Sequence, residues 1–519
     1  MECFRPWFQV GKMASLLIVI VSANQGASAL ELPVTRPVLD CAALARTDVL
    51  PGGGEPPARI SFARVVTADT VAPYCEVRGY VASQVRFELR LPTQNWNQRF
   101  LFSGCGGFCG RVEMRYRAAD GCAAVENGEF ASVTSDLGHD SPDGNADTVW
   151  ASGSPEARAN YGYRAVHVVT VTAKAIIARF YRQPARFAYF SGCSDGGREG
   201  LMEVQRYPDD FDGVVAGAPV IHNTLNNTIF HAWSAQRSRR ADGSLMFEPQ
   251  HLARLHDAVL NACDTVGDGV QDGVVGDPST CRFYPATLLC GALPAADCLT
   301  QEQVDAARAI YSGPLSPAGK PLYYGRSPGS ELMWGGPEVA GYARSFISHM
   351  TTPEPQTFDL GDVRYDTKAL AIYNSQASVF NATDPDIGRF LGSGRKLILW
   401  HGWGDPGVPP MSTVSYYEAV RHEVGPELAS GVRLYMLPGV GHCGGGEGPD
   451  KLNLIDPIMA WVEDGVAPGA IEATRKVYGR TRQVRTVYPF PATRGHDGKG
   501  DPNAASTIRS SGTESRNSP

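Results

Sequence analysis

The sequence predicts an α/β fold in which a long insertion interrupts the order of strands and helices. An apolar strand pattern at Phe187–Phe190 leads into the turn Gly192-Cys-Ser-Asp-Gly196, and a helical pattern follows at Arg198–Gln205. The strand patterns Lys396–Trp400 and Arg433–Leu437 return only after the insertion. A strand, a sharp turn with a central serine and a helix form a nucleophile elbow. These stretches together predict the α/β-hydrolase fold with a large inserted lid domain.

The N-terminal residues 1–29 have the pattern of a secretory signal peptide. Arg5 and Lys12 supply positive charge, an apolar stretch spans 13–23, and Ala27-Ser-Ala29 matches a small-residue cleavage site. The stretch is shorter than the roughly 20 residues that a membrane-spanning helix needs. We therefore expect a secreted or periplasmic protein that has no membrane anchor after cleavage.

Composition excludes one class of partner and supports a large core. The chain has 519 residues, 43% of them hydrophobic, and a net charge of −7 from 47 basic and 54 acidic side chains. No basic block offsets the acidic excess, which argues against nucleic acid as a partner. The alternation of strand and helix patterns predicts a discontinuous α/β domain at residues 30–220 and 394–490. The lid spans 221–393, and the polar residues 491–519 are expected to form a disordered tail.

Two loops after late strands supply the partners that a serine nucleophile requires. In this fold the acid and then the histidine follow the nucleophile in chain order. Asp405 comes after the strand that ends at Trp400, and His442 comes after the strand that ends at Leu437. We predict that His442 takes the proton of Ser194 and that Asp405 orients the imidazole, as in a serine esterase.

A glycine-rich loop predicts the oxyanion hole. The strand pattern Arg99–Ser103 runs directly into Gly104–Gly110. Such a loop presents backbone N–H groups, and we expect those of Gly106, Gly107 and Asp195 to hold the oxyanion. A phosphate-binding loop is the alternative, but the Gly-Lys-Ser/Thr ending is missing.

Other interpretations stay open from the motifs alone. His139 follows the predicted strand Phe130–Thr134 and is an alternative base, although its position favours a structural role. The same triad serves lipases and peptidases. A binding module can also retain the fold, but the complete triad argues against that interpretation.

The cysteines indicate an oxidising compartment. Of the 12 in the chain, Cys3 belongs to the predicted signal peptide, so an odd number remains and at least one thiol is unpaired within the chain. Cys193 precedes the predicted nucleophile and Cys443 follows the predicted base. A working triad would bring these neighbours together, so we predict the disulfide Cys193–Cys443. By loop entropy this bridge would contribute roughly 4–5 kcal/mol.

The stretch from Cys263 to Asp277 alternates aspartate with glycine. Hard oxygen ligands on a tight loop are typical of calcium sites. The stretch lacks the closing glutamate of an EF-hand.

The order Cys-Ser, Asp and His-Cys resembles that of the tannase and feruloyl esterase family, which includes a terephthalate half-ester hydrolase. The resemblance covers most of the mature chain and rests on Asn95-Trp-Asn97, Gly104–Gly110, Ser135–His139, Tyr163–His167, Gly192–Gly200, His401–Pro406 and Gly439–Cys443. It implies a secreted serine esterase with a lid, acting on esters of small aromatic acids. A secreted lipase or peptidase of the same fold is the further alternative.

The resemblance also implies a structural Ca²⁺ ion in the lid. Its ligands would be the carboxylates of Asp264, Asp268 and Asp272 and the carbonyls of Val270 and Val274. The interval from Asp264 to Asp268 is one residue longer than the family pattern.

The resemblance also guides the pairing of the remaining cysteines. We expect the disulfides Cys41–Cys75, Cys263–Cys281 and Cys290–Cys298. Either Cys105 or Cys109 would pair with Cys122, which leaves one thiol. Val487 stands where many relatives have a cysteine, so a looser C-terminal tail is expected.

Substrate preference is predicted from the lid. Its aromatic residues suit stacking on an aromatic acyl group, namely Phe230, Trp233, Tyr323, Tyr324, Trp334 and Tyr342. Arg326 or Arg344 would suit a substrate carboxylate, as a terephthalate half-ester requires. Val408 stands where the terephthalate enzyme of the family has a bulkier aromatic residue, which favours hydroxycinnamate or gallate esters. The sequence predicts no oligomeric state.

Overall fold

The computed structural model describes residues 30–68, 71–82, 84–141, 146–291, 298–334, 338–352, 354–494 and 508–509. The predicted signal peptide lies outside the described residues. So does most of the predicted tail, of which 491–494 and a short pairing of 493–494 with 508–509 are described. The strands are β1 Asp48–Val49, β2 Ala58–Ala68, β3 Val71–Val81, β4 Val85–Pro92, β5 Arg99–Ser103, β6 Ala131–Ser135, β7 Phe187–Cys193, β8 Gly213–Gly217, β9 Lys396–Gly402, β10 Val432–Leu437, β11 Lys451–Leu452, β12 Ile471–Val477, β13 Arg480–Val487, β14 Thr493–Arg494 and β15 Ile508–Arg509.

A ten-stranded sheet in the order β1-β2-β3-β4-β6-β5-β7-β8-β9-β10 forms the centre of the molecule. Strands β1 to β4 and the pair β4 and β6 are antiparallel, whereas β6, β5, β7, β8, β9 and β10 run parallel. The carboxyl ends of β5, β7, β9 and β10 therefore lie at one edge, where ligands bind in open α/β sheets. The α/β-hydrolase fold predicted from the sequence is present.

Helices cover both faces of the parallel strands. They are α1 Ala123–Glu126, α2 Pro155–Ala159, α3 Ala165–Tyr181, α4 Asp195–Arg206, α5 Asn223–Leu225, α6 His231–Arg237, α7 Pro249–Cys263, α8 Gln301–Ser312, α9 Glu338–His349, α10 Thr367–Tyr373, α11 Ala377–Phe380, α12 Gly388–Gly392, α13 Pro410–Ala429 and α14 Ile455–Asp464. Single π-helical turns, Asn160–Arg164 and Asn226–Phe230, join α2 to α3 and α5 to α6.

Alternation along the strands divides the core into two layers. Phe100 and Phe102 of β5 enter the cluster on one face of the sheet, and Leu101 between them enters the cluster on the other. Every residue of β5 is buried. Burial on both faces explains why these strands are continuous apolar runs rather than alternating ones.

The lid lies between β8 and β9 and contains α5 to α12. The described part of residues 221–393 has isolated bridges but no strand in a sheet. It is stabilised by its own apolar clusters, one of them built around Trp334 and another around Ile347. Nowhere in the described part of the chain is a helix both long enough and apolar enough to span a membrane.

Two helix boundaries differ from those predicted. Helix α4 begins at Asp195, directly after the turn, and not at Arg198. The helical pattern of the sequence predicts another helix from Tyr163 to Tyr181, but α3 begins at Ala165 because the preceding residues form a π-helical turn.

The structure forms four disulfides that the sequence predicted and changes the assignment of a fifth. Cys41–Cys75, Cys193–Cys443, Cys263–Cys281 and Cys290–Cys298 are present. The prediction that Cys122 pairs with Cys105 or Cys109 is wrong, because those two cysteines pair with each other. The tight glycine loop brings their Cα atoms to 5.6 Å, whereas the free thiol of Cys122 is buried beside Asp456.

Candidate active site

The turn after β7 holds Ser194 in a strained conformation that its glycine neighbours make possible. Ser194 has a φ of 68° and stands between the strand and α4. A Cβ atom at Gly192 would lie 2.4 Å from the carbonyl oxygen of Gly196, and one at Gly196 would lie 2.6 Å from that of Cys105. Both positions therefore require glycine, and the close approach packs the turn against the loop that follows β5.

The three predicted triad residues meet at the carboxyl edge of the sheet. The Oγ atom of Ser194 lies 2.7 Å from Nε2 of His442, and Nδ1 of His442 lies 2.6 Å from Oδ2 of Asp405. This chain of hydrogen bonds requires the proton of the neutral imidazole on Nδ1, which leaves Nε2 as the acceptor for the serine hydroxyl. The disulfide Cys193–Cys443 joins the two loops directly beside this contact.

Asp405 is fully buried and remains charged. Its Oδ1 atom accepts hydrogen bonds from the backbone N–H groups of Gly407 and Val408, at 2.8 and 2.9 Å. Its Oδ2 atom also accepts one from Nε2 of His401 at 3.0 Å. Burial alone would raise the pKa of Asp405, but His442 and His401 outweigh it and hold the pKa well below the usual range.

His442 is poised as a base of increased strength. Burial lowers the pKa of this imidazole, but the adjacent Asp405 carboxylate more than compensates, so that the pKa is raised above 6.5. A nearby carboxylate that favours the imidazolium is what a general base needs when it receives a proton.

A buried ion pair fixes Asp195, the residue after the predicted nucleophile. Arg198 is fully buried and contacts both carboxylate oxygens of Asp195, at 2.6 and 3.0 Å. Its remaining N–H groups donate to the carbonyls of Gly162 and Tyr161, and the hydroxyl of Tyr161 donates to Asp195 at 2.8 Å. The side chain of Asp195 is thus held in place while its backbone N–H, in the first turn of α4, has no intrahelical acceptor.

The predicted oxyanion donors lie partly at the reaction cavity. Gly107 and Asp195 line the cavity that contains Ser194 and His442. Gly106 belongs to the same loop but lines a smaller neighbouring cavity. The disulfide Cys105–Cys109 closes the loop, and the backbone N–H of Cys105 donates to Glu199 of α4.

A cavity of about 310 Å³ stands over the triad and lies between the α/β domain and the lid. Of the six lid aromatics singled out in the sequence, Tyr342 lines it, whereas Trp334 packs within the lid core. Val408 lines it as well. Residues that sequence reasoning missed also line it, namely Asn223, Asn226, Asn227, His231, Met333 and Val339. The cluster of polar residues directly after β8 was the signal for several of them, since that strand also ends at this edge.

The two candidate arginines lie in different places. Arg326 lines the cavity and is buried, whereas Arg344 is exposed on α9 and does not line it. Three lid side chains, Arg326, Asn226 and His231, donate to carbonyl oxygens of Pro406 or Gly407. They connect the lid to the loop that carries the acid of the triad.

His139 has a structural environment. Its Nε2–H donates to the carbonyl of Phe108 at 2.6 Å, and its ring stacks on Trp150 at 3.6 Å. Burial lowers its pKa to about 4. It supports the wall of the cavity through Phe108 and has no contact with Ser194.

The predicted calcium ligands are engaged by other groups. Arg485 of β13 pairs with Asp268 and with Asp272, the latter at 2.6 Å. Asp264 accepts the backbone N–H groups of Asp272 and Gly273. The chemistry of these oxygen donors fits calcium, and in this arrangement Arg485 supplies positive charge to one oxygen of Asp268 and one of Asp272.

A comparison with known protein families agrees with the fold and with the arrangement of these residues. The sequence profile of the family described as "Tannase and feruloyl esterase" matches residues 65–511. The chain belongs to this family of carboxylic ester hydrolases.

Individual relatives share this family. The chain is 32% identical over 513 residues to the mono(2-hydroxyethyl) terephthalate hydrolase of Piscinibacter sakaiensis, with 84% of each chain covered. It is 31% identical over 456 residues to a probable feruloyl esterase of Arthroderma benhamiae, with 81% of each covered. Among solved structures, feruloyl esterase B from Aspergillus oryzae is similar with a TM-score of 0.76 and 27% identity, covering 86% of this chain and 95% of that one.

Proposed function

We propose that this chain is a secreted serine carboxylesterase that hydrolyses esters of small aromatic acids, of the hydroxycinnamoyl or galloyl kind. The observation that carries the proposal is the hydrogen-bonded series Ser194, His442 and Asp405, which opens into a cavity of small-ligand size. Membership of the tannase and feruloyl esterase family supports the substrate class.

In the first half of the reaction, Nε2 of His442 accepts the hydroxyl proton of Ser194. The serine oxygen attacks the ester carbonyl, and Asp405 stabilises the imidazolium that forms. Backbone N–H groups of Asp195 and of the Gly106–Gly107 loop donate to the oxyanion, where one such donor is typically worth roughly 3 kcal/mol. The imidazolium then protonates the leaving alcohol, which departs and leaves the acyl group on Ser194.

In the second half, water replaces the alcohol. His442 takes a proton from this water, the hydroxide attacks the acyl-enzyme, and the carboxylic acid is released as Ser194 regains its proton. The lid shields the acyl group, because its side chains cover the cavity at the carboxyl edge of the sheet.

A second candidate, a terephthalate half-ester hydrolase, is favoured by one observation. Arg326 places a buried positive charge in the same cavity, and one relative is named as a mono(2-hydroxyethyl) terephthalate hydrolase. Val408 also lines the cavity. It stands at the position where the terephthalate enzyme of the family has a bulkier aromatic residue, and this difference favours the first candidate instead.

Two further properties belong to the proposal. Secretion is supported by the signal-peptide pattern at residues 1–29 and by the five disulfides of the described chain. The proposed structural Ca²⁺ would be held by Asp264, Asp268, Asp272 and the carbonyls of Val270 and Val274, and would supply positive charge that fixes the acidic loop of the lid.

The test is a kinetic panel of methyl ferulate, methyl gallate and monomethyl terephthalate. Wild-type protein should hydrolyse at least one aromatic ester, and Ser194→Ala should abolish hydrolysis and labelling by a fluorophosphonate probe. The exposed Ser430 provides a matched control, since Ser430→Ala should retain both properties. Full activity of Ser194→Ala, or activity only on peptides or long-chain acyl esters, would contradict the proposal.

A further inference from the structure

Arg326 is a buried arginine of the cavity that pairs with no acidic residue in the described part of the chain. The residue is only 5% exposed, and it lines the cavity together with Ser194 and His442. Its Nε–H donates to the carbonyl of Pro406 at 3.1 Å, and its Nη1–H donates to that of Trp334 at 3.4 Å. Neither contact brings a negative charge to the guanidinium.

Among the described residues, none accepts a hydrogen bond from the remaining donors of Arg326. A guanidinium has five N–H donors in a planar fork. The Nη2 group makes no hydrogen bond to any residue that the structure describes, and no described carboxylate forms a salt bridge with Arg326. The side chain therefore retains a pair of donors suited to a planar acceptor with two oxygens.

The charged groups around Arg326 do not neutralise it. Asp405 is the acidic group that acts on it, but both Asp405 oxygens already accept hydrogen bonds from His442, His401 and the backbone. His231 stays neutral at ordinary pH, because burial and then the nearby Arg326 and His442 lower its pKa to about 4. Burial lowers the pKa of Arg326 itself to about 10, so it remains charged at neutral pH.

A charge buried without a counter-ion is costly, and such a charge in a substrate cavity is relieved when a ligand brings the opposite charge. We propose that Arg326 binds a carboxylate that the substrate carries away from the ester to be cleaved. The inference rests on the proposed esterase function and identifies the chemistry of its substrate. The carboxylate can belong to the acyl part, as in an aromatic half-ester, or to the alcohol part, as in an ester of a hydroxy acid.

A purely structural role for Arg326 makes a different prediction. Asn226 and His231 donate to the carbonyl of Gly407, next to the carbonyl that Arg326 contacts, and neither carries a charge at neutral pH. If Arg326 only fixes this loop, its loss would slow anionic and neutral esters alike, as the loss of Asn226 should. A role in recognition would change the ratio between them.

The experiment compares each carboxylate ester with a neutral isostere. The acyl arm pairs monomethyl terephthalate with methyl 4-carbamoylbenzoate, and the alcohol arm pairs caffeoylquinate with its quinate methyl ester. We expect wild-type protein to prefer the anionic member of at least one pair by about 10- to 100-fold in kcat/KM, mostly through KM, as a charge-assisted hydrogen bond of ordinary strength would give. The arm that shows the preference identifies the source of the carboxylate.

The variants separate recognition from folding. Arg326→Gln should bring the ratio close to one, Arg326→Lys should retain part of it, and the exposed control Arg344→Gln should keep it unchanged. Asn226→Ala should slow both members of a pair equally. If Arg326→Gln does not fold, competitive inhibition of the wild type by terephthalate against 4-carbamoylbenzamide tests the same preference.

Two outcomes would overturn the inference. One is a wild-type ratio near one in both arms, and the other is a ratio that survives Arg326→Gln. Hydrolysis of methyl ferulate, measured in parallel, keeps this result apart from the proposed function. That function fails when no aromatic ester is cleaved or when Ser194→Ala keeps full activity, whereas the inference fails when aromatic esters are cleaved by Ser194 without regard to their charge.

Discussion

Two buried arginines differ in what surrounds them: Arg326 lines the cavity, whereas Arg198 lies behind Asp195, which lines it. Arg198, on the α/β-domain side, has its Nε, Nη1 and Nη2 atoms all bonded, including two contacts with the carboxylate of Asp195. Arg326, on the lid side, donates to two carbonyls and meets no carboxylate among the described residues. Arg198 therefore has its counter-ion before a substrate arrives, whereas Arg326 would obtain one from the substrate it binds.

The difference follows from what each region must do. Groups that act on the reacting atoms need fixed positions, and a satisfied network provides them at no cost during the reaction. A region that determines substrate specificity leaves hydrogen-bond donors or acceptors unpaired, so that the correct ligand supplies the partner. The following changes break one side or the other, in order of decreasing effect.

The largest effect should come from the acid of the triad. Asp405→Asn removes the charge that stabilises the His442 imidazolium and favours the wrong tautomer, so kcat on an aromatic ester should fall by roughly 10⁴-fold. Steady-state kinetics measures the change. The exposed Asp386→Asn serves as control and should stay close to wild type, and a loss below about tenfold for Asp405→Asn would argue against its role in the triad.

Loss of the ion pair between Asp195 and Arg198 should lower the stability of the fold. Arg198→Met leaves the buried Asp195 carboxylate without its partner, which we expect to lower the free energy of unfolding by roughly 3–5 kcal/mol. Urea denaturation measures this change, and the double variant Asp195→Asn/Arg198→Met should recover part of the loss. Arg206→Met, at the exposed end of the same helix, should cost about 1 kcal/mol or less. An equal cost for both arginines would show that the ion pair has no special weight.

We predict that Ca²⁺ and Arg485 compete for the acidic loop of the lid. Chelation should lower the melting temperature of the wild type, and Arg485→Ala, which frees Asp268 and Asp272, should strengthen calcium binding. At a calcium concentration 100 times the Kd, binding would add about 2.7 kcal/mol of stability. Calorimetric titration and thermal unfolding measure both effects, with the exposed Arg480→Ala of the same strand as control. A loop that binds no calcium in either protein would refute the site.

The smallest effect concerns the attachment of the lid. Nδ1 of His256 lies 2.9 Å from Oε2 of Glu331 in the lid, and its Nε2 lies 2.6 Å from Oε2 of Glu447 in the α/β domain. The contact with Glu447 is an ion pair without the alignment of a hydrogen bond. Burial lowers the pKa of His256, but both glutamates outweigh it and raise the pKa to about 9. Because the folded pKa is the raised one, the stabilisation is complete below about pH 6.5 and is lost as pH rises through about 9.

His256→Gln should therefore lose about 1 kcal/mol of stability at pH 6 and almost nothing at pH 10. Unfolding curves at the two pH values provide the measurement. The exposed His422→Gln on α13 is the control and should show no such difference. A loss that is the same at both pH values would assign His256 a packing role only.

Much of the fold and of the proposed triad could be predicted because local patterns carry them. Ser194, Asp405 and His442 each follow a buried strand, and the strand order of the fold forces the three loops together. The pairing Cys105–Cys109 was missed, because it depends on how tightly the loop after β5 turns. The polar cavity residues Asn226 and His231 were also missed, since helical periodicity says nothing about which lid face covers the triad.

Short-range sterics and chain order set the order of elements, the turn geometry at Ser194 and the residues proposed for ester hydrolysis, so these could be predicted from the amino-acid sequence. Local sequence also accounts for Arg198, which pairs with Asp195 three residues before it on the same helix. Contacts between distant segments decided the other charges, because Arg485 found carboxylates in the lid whereas Arg326 met none among the described residues. Pairing depends on which distant segments share a buried volume, and packing of the lid against the sheet sets that volume.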